Sequence, residues 1–225
     1  MIGDSTMSVK QPDKRPETGW GMPFATMFDS RVTIKNRAMN GRSTKTFLSE
    51  NRWAAILDSI QEGDYVFIQF GHNDESKEKV DRYTAPDEYK ANLIRFIQET
   101  RSKKGIPVLL TPVVRRRFDS LNRFYDVHGV YPDKVRAVAR EYNVLLIDMQ
   151  KLSEQLLISL GSEESVKLFN HLNPGEHPNY PNGIKDDTHF NEHGAARMAE
   201  LVRKAITDQQ LPVAAYLKKE SYRQP

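Results

Sequence analysis

The sequence contains no cysteine. That excludes disulfides, thiolate metal sites and cysteine nucleophiles, and it leaves the compartment open. No apolar run approaches the ~18 residues that a membrane-spanning helix needs. The apolar share is modest, 38% against 28% charged residues, so the surface is expected to be strongly polar. The excess of basic over acidic side chains is only +3, too small to argue for nucleic acid or an anionic membrane as a partner. Internal repeats and low-complexity segments are absent too, and no signal-peptide pattern opens the chain.

What is present fits one domain over residues 1–225, long enough for a full core. Strand-like and helix-like patterns alternate. Residues 8–31 hold Pro12, Pro16, Gly19, Gly21 and Pro23 and read as a loop, closed by an apolar segment around Phe24 to Phe28. Val32-Thr33-Ile34 reads as a short strand, and a helix is predicted from about Thr44 to Ile60. Tyr65 to Phe70 is a continuous β-favouring run suited to a strand covered on both faces. Pro86 opens a helix whose inward stripe is Tyr89, Leu93, Phe96, Ile97 and Thr100; Lys103-Lys104-Gly105 stops it.

Ile106 to Leu110 reads as the next strand, and residues 112–130 as irregular. A helix over Asp133 to Tyr142 turns Val135, Val138 and Ala139 inward, and Val144 to Asp148 reads as a strand. A helix from about Met149 ends at Gly161, and residues 170–188 read as a surface loop. Asn191 caps a last helix with Ala195, Met198, Ala199, Val202 and Ile206 inward. This alternation predicts a mostly parallel sheet with helices on both faces, and such sheets place ligands at the C-terminal ends of their strands.

Candidate chemistry gathers at those ends. Ser5 sits on a Gly3-Asp4-Ser5 turn directly after the first apolar residues. A serine hydroxyl is a weak nucleophile near neutral pH and needs a base, a group to orient that base, and donors for the oxyanion. His189 is the candidate base, with Asp186 three residues earlier as its orienting acid and Asp187 as a rival. The backbone N–H groups of Ser5 and Gly41 and the side-chain amide of Asn73 are candidate oxyanion donors. Each motif alone has a plain structural reading: a capping serine, an Asn40-Gly41 turn, an Asn73-Asp74 capping pair, a histidine at a helix start. Asp186, Asp187 and His189 make a poor metal site, because no further ligand cluster accompanies them.

Other residues are candidate substrate contacts. Trp20 either stacks on a sugar face or packs under its loop. Arg42 is a candidate sugar contact, and His72 beside Asn73 either lines the site or supports it. Arg115-Arg116-Arg117 either contacts an anionic substrate or is a solvated charge run.

Taken together, Ser5, Gly41, Asn73 and the Asp186-x-x-His189 pair match in order the four blocks of the SGNH, or GDSL-type, hydrolases. Ile2-Gly3-Asp4-Ser5-Thr6-Met7, Asn36-Arg37-Ala38 leading to Gly41-Arg42-Ser43-Thr44, and Phe70-Gly71-His72-Asn73-Asp74 resemble the rhamnogalacturonan acetylesterases of carbohydrate esterase family 12. The resemblance spans nearly the whole chain. It implies a flavodoxin-like three-layer α/β/α sandwich, an acetylated pectic polysaccharide as substrate, and no metal or organic cofactor. Competing readings are an acetylxylan esterase, a lipase-like esterase or thioesterase, and a non-catalytic carbohydrate-binding protein on the same fold. Only Met1 and Ile2 precede the Gly-Asp-Ser turn, against the ~5–6 residues of a usual strand. The reading favours missing upstream residues, most of a first strand and an export signal, which would place the protein in the periplasm or outside the cell. A true start at Met1, with a short first strand and a cytoplasmic location, is the alternative.

Overall fold

The computed structural model describes residues 1–219. Its centre is a four-stranded parallel sheet in the order β1 (Ile2–Gly3), β2 (Tyr65–Gln69), β3 (Ile106–Leu110) and β4 (Leu145–Ile147). The register pairs Gly3 with Gln69, Gln69 with Leu110, and Leu110 with Ile147, so the C-terminal ends of all four strands come level. Neighbouring residues on β2 and β3 point to opposite faces, and both faces are apolar. Val66, Ile68 and Leu109 enter one core; Phe67, Val108 and Leu110 enter the other.

Helices cover both faces. On the first lie α2 (Thr44–Ser49), α3 (Arg52–Leu57), α4 (Pro86–Ser102) and α5 (Tyr131–Glu141), contributing Phe47, Trp53, Phe96 and Val138 to that core. On the second lie α1 (Gly21–Thr26), α6 (Met149–Glu164) and α7 (Glu192–Asp208), through Phe24, Leu157 and Met198. The stripe read for α4 is the buried one: Tyr89, Leu93, Phe96, Ile97 and Thr100. The inward residues read for the last helix are likewise buried in α7. Among the described residues, no helix is long and apolar enough to cross a membrane.

Four expectations change. Residues 8–31 are not a single loop: Gly21–Thr26 folds as α1, which buries Phe24. Val32–Ile34 is not a strand; Val32 and Ile34 pack against the core edge. The extended segment along β1 is residues 35–39, held by Met1 N to Lys35 O (2.9 Å), Arg37 N to Met1 O (2.9 Å) and Met39 N to Gly3 O (3.0 Å). The helix expected over 44–60 is two short ones, because Asn51 adopts left-handed backbone (φ 56°) between them. Finally, 170–188 is not one loop. β5 (Phe169–Leu172) and β6 (Ile184–Phe190) form an antiparallel pair beside the main sheet, leaving only 173–183 as the connection.

That pair has an irregular register that matters for the site. Phe169 pairs with Phe190 and Asn170 with Asp186, one step on β5 against four on β6. Residues 187–189 therefore bulge out of the ladder. Phe190, buried at the far side of the bulge, anchors it by packing on Phe169 with ring centroids 5.2 Å apart. A bulge re-aims side chains that a regular strand would send alternately up and down.

Candidate active site

The turn after β1 presents Ser5. Gly3 is required there, because a Cβ would lie 2.5 Å from the Gln69 carbonyl oxygen of the neighbouring strand. Asp4 is fully buried and organises the turn: Oδ1 accepts from Thr6 N (2.9 Å) and Thr6 Oγ1 (2.8 Å), and Oδ2 accepts from His72 Nδ1 (3.0 Å). Burial opposes the charge on Asp4, but the His72 ring and the Thr6 donors outweigh it and hold the carboxyl well below the usual range. Ser5 closes the turn, 7% exposed, with its Oγ directed at His189.

His189 comes from the bulge in β6, 184 residues further along the chain. Its Nε2 lies 2.8 Å from Ser5 Oγ, and its Nδ1 lies 2.7 Å from Asp186 Oδ2. An ionised carboxylate only accepts, so Nδ1 carries the proton and Nε2 is left to accept from the serine hydroxyl. Asp186 Oδ1 accepts from the backbone N–H of Thr188 (2.8 Å) and of His189 (3.0 Å), which shapes the bulge around the carboxylate. Burial would raise the Asp186 pKa; the His189 ring and those two amides more than reverse this and bring it down to about 2. Asp187 is instead paired with Arg116 Nη1 (2.9 Å), Arg117 Nη1 (3.3 Å) and His171 Nε2 (2.9 Å). The rival acid is thus taken up elsewhere.

Gly41 and Asn73 share one corner. Gly41 has φ 74°, a conformation that favours glycine. Asn73 Nδ2 donates to Arg42 O (3.0 Å), and its Oδ1 accepts from Arg82 Nη1 (3.3 Å). These partners fix which end of the amide carries the N–H groups, and one Nδ2 hydrogen remains for a ligand. The Asn40–Gly41 turn is anchored from beneath. Asn40 Oδ1 accepts from Ser8 Oγ (2.5 Å) and from Lys10 Nζ (2.8 Å), and the buried Lys10 also pairs with Glu17 (2.6 Å).

The candidate substrate contacts divide. Trp20 has no exposed surface; its Nε1 donates to Gln69 Oε1 (2.8 Å) and its ring packs edge-on against Phe24. It is a packing residue, not a sugar platform. His72 is likewise buried, 3% exposed, and supports Asp4 rather than lining the site. Arg42 is partly exposed, with Nε on Glu50 (3.0 Å) and Nη1 on Asn40 O (2.9 Å). Arg115, Arg116 and Arg117 are not a solvated run; all three reach the β6 bulge. Asp4 and Lys10 support the site without a clear mark in the sequence: adjacency to Ser5 is the one sign at Asp4, and a lysine in a proline-rich loop carries none.

Residues 1–197 match the model of the GDSL-like Lipase/Acylhydrolase family. The chain belongs to this family. A curated relative, the rhamnogalacturonan acetylesterase RhgT of Bacillus subtilis, is 41% identical over 217 residues, covering 96% of this chain and 92% of the relative. The crystal structure of YxiM from B. subtilis superposes with a TM-score of 0.78 at 24% identity, over 94% of this chain and 56% of that one. Axe2, an acetylxylan esterase from Geobacillus stearothermophilus, superposes with a TM-score of 0.62 at 19% identity over 91% of both chains. The two structural likenesses speak to the fold.

Proposed function

We propose that the protein is a serine esterase that removes acetyl groups from a pectic polysaccharide of the rhamnogalacturonan type. The observation that carries the chemistry is the continuous hydrogen-bonded chain from Ser5 Oγ through the His189 ring to Asp186. The substrate class is supported by the relative of that name, aligned along nearly the whole of both chains.

The geometry supports a two-step acyl transfer. Ser5 Oγ attacks the acetyl carbonyl carbon while His189 Nε2 takes the hydroxyl proton. Asp186 holds the ring in that tautomer and balances the imidazolium. The negative charge that develops on the carbonyl oxygen is met by the N–H groups of Ser5 and Gly41 and the free Nδ2 hydrogen of Asn73. Each such donor contributes about 3–4 kcal/mol to the transition state. His189 then returns its proton to the departing sugar oxygen, leaving an acetyl group on Ser5. A water that gives its proton to His189 attacks this ester, and acetate leaves with the serine hydroxyl restored.

The test is acetate release from acetylated rhamnogalacturonan, acetylated xylan and a long-chain ester, by the parent and by Ser5→Ala. The expected result is fastest release from the pectic substrate, with Ser5→Ala lowering kcat by at least about 10³-fold. Release by Ser5→Ala at the parent rate would overturn the chemistry. Preference for xylan or the long-chain ester would overturn the substrate class.

A further inference from the structure

Arg115 lies on the irregular segment after β3, outside the Ser5-His189-Asp186 chain, and its guanidinium touches both halves of the site. Nη1 donates to Thr188 Oγ1 at 2.7 Å, inside the bulge that carries His189. Nη2 donates to the carbonyl oxygen of His72 at 3.2 Å, one residue before Asn73. Nε and Nη2 both reach Glu75 Oε1, at 3.3 and 3.0 Å. Thr188 in turn gives its backbone N–H to Asp186 Oδ1. One planar side chain therefore spans the corner that supplies an oxyanion donor and the loop that supplies the base.

The anchor beneath Arg115 is rigid. Glu75 Oε2 takes His128 Nδ1 at 2.6 Å, and His128 Nε2 sits 2.8 Å from the Val113 carbonyl oxygen. Both ring nitrogens of His128 thus face acceptors, which calls for a proton on each. The Glu75 carboxylate is held between two cations, and Arg115 and Glu75 expose only 19% and 14% of their side chains. The next two arginines extend the grip: Arg116 N donates to Asp187 O at 2.8 Å, and the Arg116 and Arg117 side chains pair with the Asp187 carboxylate. A fixed fork of donors suits this work better than a flexible ammonium would.

We propose that Arg115 is a positioning residue: by clamping Thr188 it holds the β6 bulge in the shape that keeps His189 Nε2 on Ser5. The proposal rests on the reading of His189 as the base and adds the part that keeps it in place. An imidazole displaced by a fraction of an ångström loses much of its effect on the attacking hydroxyl.

The test compares Thr188→Val, which removes the hydroxyl but keeps the shape, with Thr188→Ser, which keeps the hydroxyl, and both with Arg115→Met. Two readouts are taken, kcat and KM on an acetyl ester and hydrogen–deuterium exchange of the peptide spanning 184–190. Thr188→Val is expected to lower kcat about tenfold with KM within about twofold, and to speed exchange in that peptide severalfold. Thr188→Ser is expected to match the parent in both. The double variant Arg115→Met/Thr188→Val is expected to be no slower than Arg115→Met alone. Parent kcat and parent exchange in Thr188→Val would overturn the clamp, as would equal losses in the valine and serine variants. The exchange readout does not depend on Ser5 chemistry, so failure of the clamp is distinguishable from failure of the esterase reading. If Arg115→Met does not fold, the Thr188 series alone decides.

Discussion

At the scale of single residues, the Asp186 carboxylate has two tasks. It orients the His189 ring through Oδ2 and shapes the bulge through Oδ1. Asp186→Asn replaces an acceptor with an amide that also donates. Where its nitrogen faces the ring, Nδ1 must accept and Nε2 carries the proton, so Nε2 can no longer take one from Ser5. The expected outcome is a fall in kcat on the order of 10³–10⁴, with KM changed little, from steady-state kinetics on an acetyl ester. A second buried carboxyl makes a different prediction. Asp74 Oδ1 accepts from Thr44 N and Oγ1, while Oδ2 has no hydrogen-bond partner among the described residues. Burial pushes its pKa up from the ordinary 3.8 to about 7. The folded state then binds a proton that the unfolded chain releases above about pH 4, so stability falls as pH rises from there through about 7. Asp74→Asn removes that slope. Urea unfolding at pH 4.5 and pH 8 should show the variant gaining on the parent by on the order of 2–4 kcal/mol at the higher pH. Ser5, Gly41, Asn73, Asp186 and His189 are legible in the sequence as candidates because each lies in a short stretch whose local chemistry is unusual. The sequence hides Arg115, because three consecutive arginines look alike whether they are solvated or clamped, and the partners of this one lie far away in the chain.

At the scale of elements, the strands of the central sheet and the long helices are legible in the sequence; the bulged pair is not, and Val32–Ile34 suggests a strand where none forms. Ile184-Lys185-Asp186-Asp187-Thr188-His189-Phe190 has apolar residues only at its ends, and the bulge breaks the alternation that marks a half-buried strand. The two short helices look like one in the sequence for a similar reason. The apolar spacing carries on across Asn51, while the left-handed backbone there turns the chain. The Gly41 corner makes an element-scale prediction. With φ at 74°, alanine would add roughly 1–2 kcal/mol of strain, and its Cβ would stand 3.3 Å from Arg82 Nη1, the group that holds the Asn73 amide. Gly41→Ala should therefore lower kcat by about tenfold or more while leaving KM within a few-fold, since an oxyanion donor acts mainly in the transition state. A variant with parent kcat would remove Gly41 from the oxyanion site.

At the scale of the whole molecule, β1 and β2 lead into Ser5 and Asn73 at the C-terminal edge of the sheet, the segment hydrogen-bonded along β1 leads into Gly41, and β6 delivers His189 to Ser5. Two apolar cores hold that sheet from opposite faces. Phe67 and Phe96 belong to different cores and are both buried. Each replaced by alanine should lose about 3–5 kcal/mol in urea unfolding, with kcat of the folded fraction close to the parent value. Loss of kcat without loss of stability would mean that the cores shape the site directly rather than simply holding its frame. The central claim is that acetyl passes through the Ser5 oxygen. It is tested most directly by mixing the protein with an activated acetyl ester, quenching in acid within the first turnover, and mapping the modification by peptide mass spectrometry. The account predicts one acetyl group on the peptide that contains Ser5, absent from Ser5→Ala. Turnover with no acetyl group at Ser5, or with the label on another residue that Ser5→Ala retains, would contradict it.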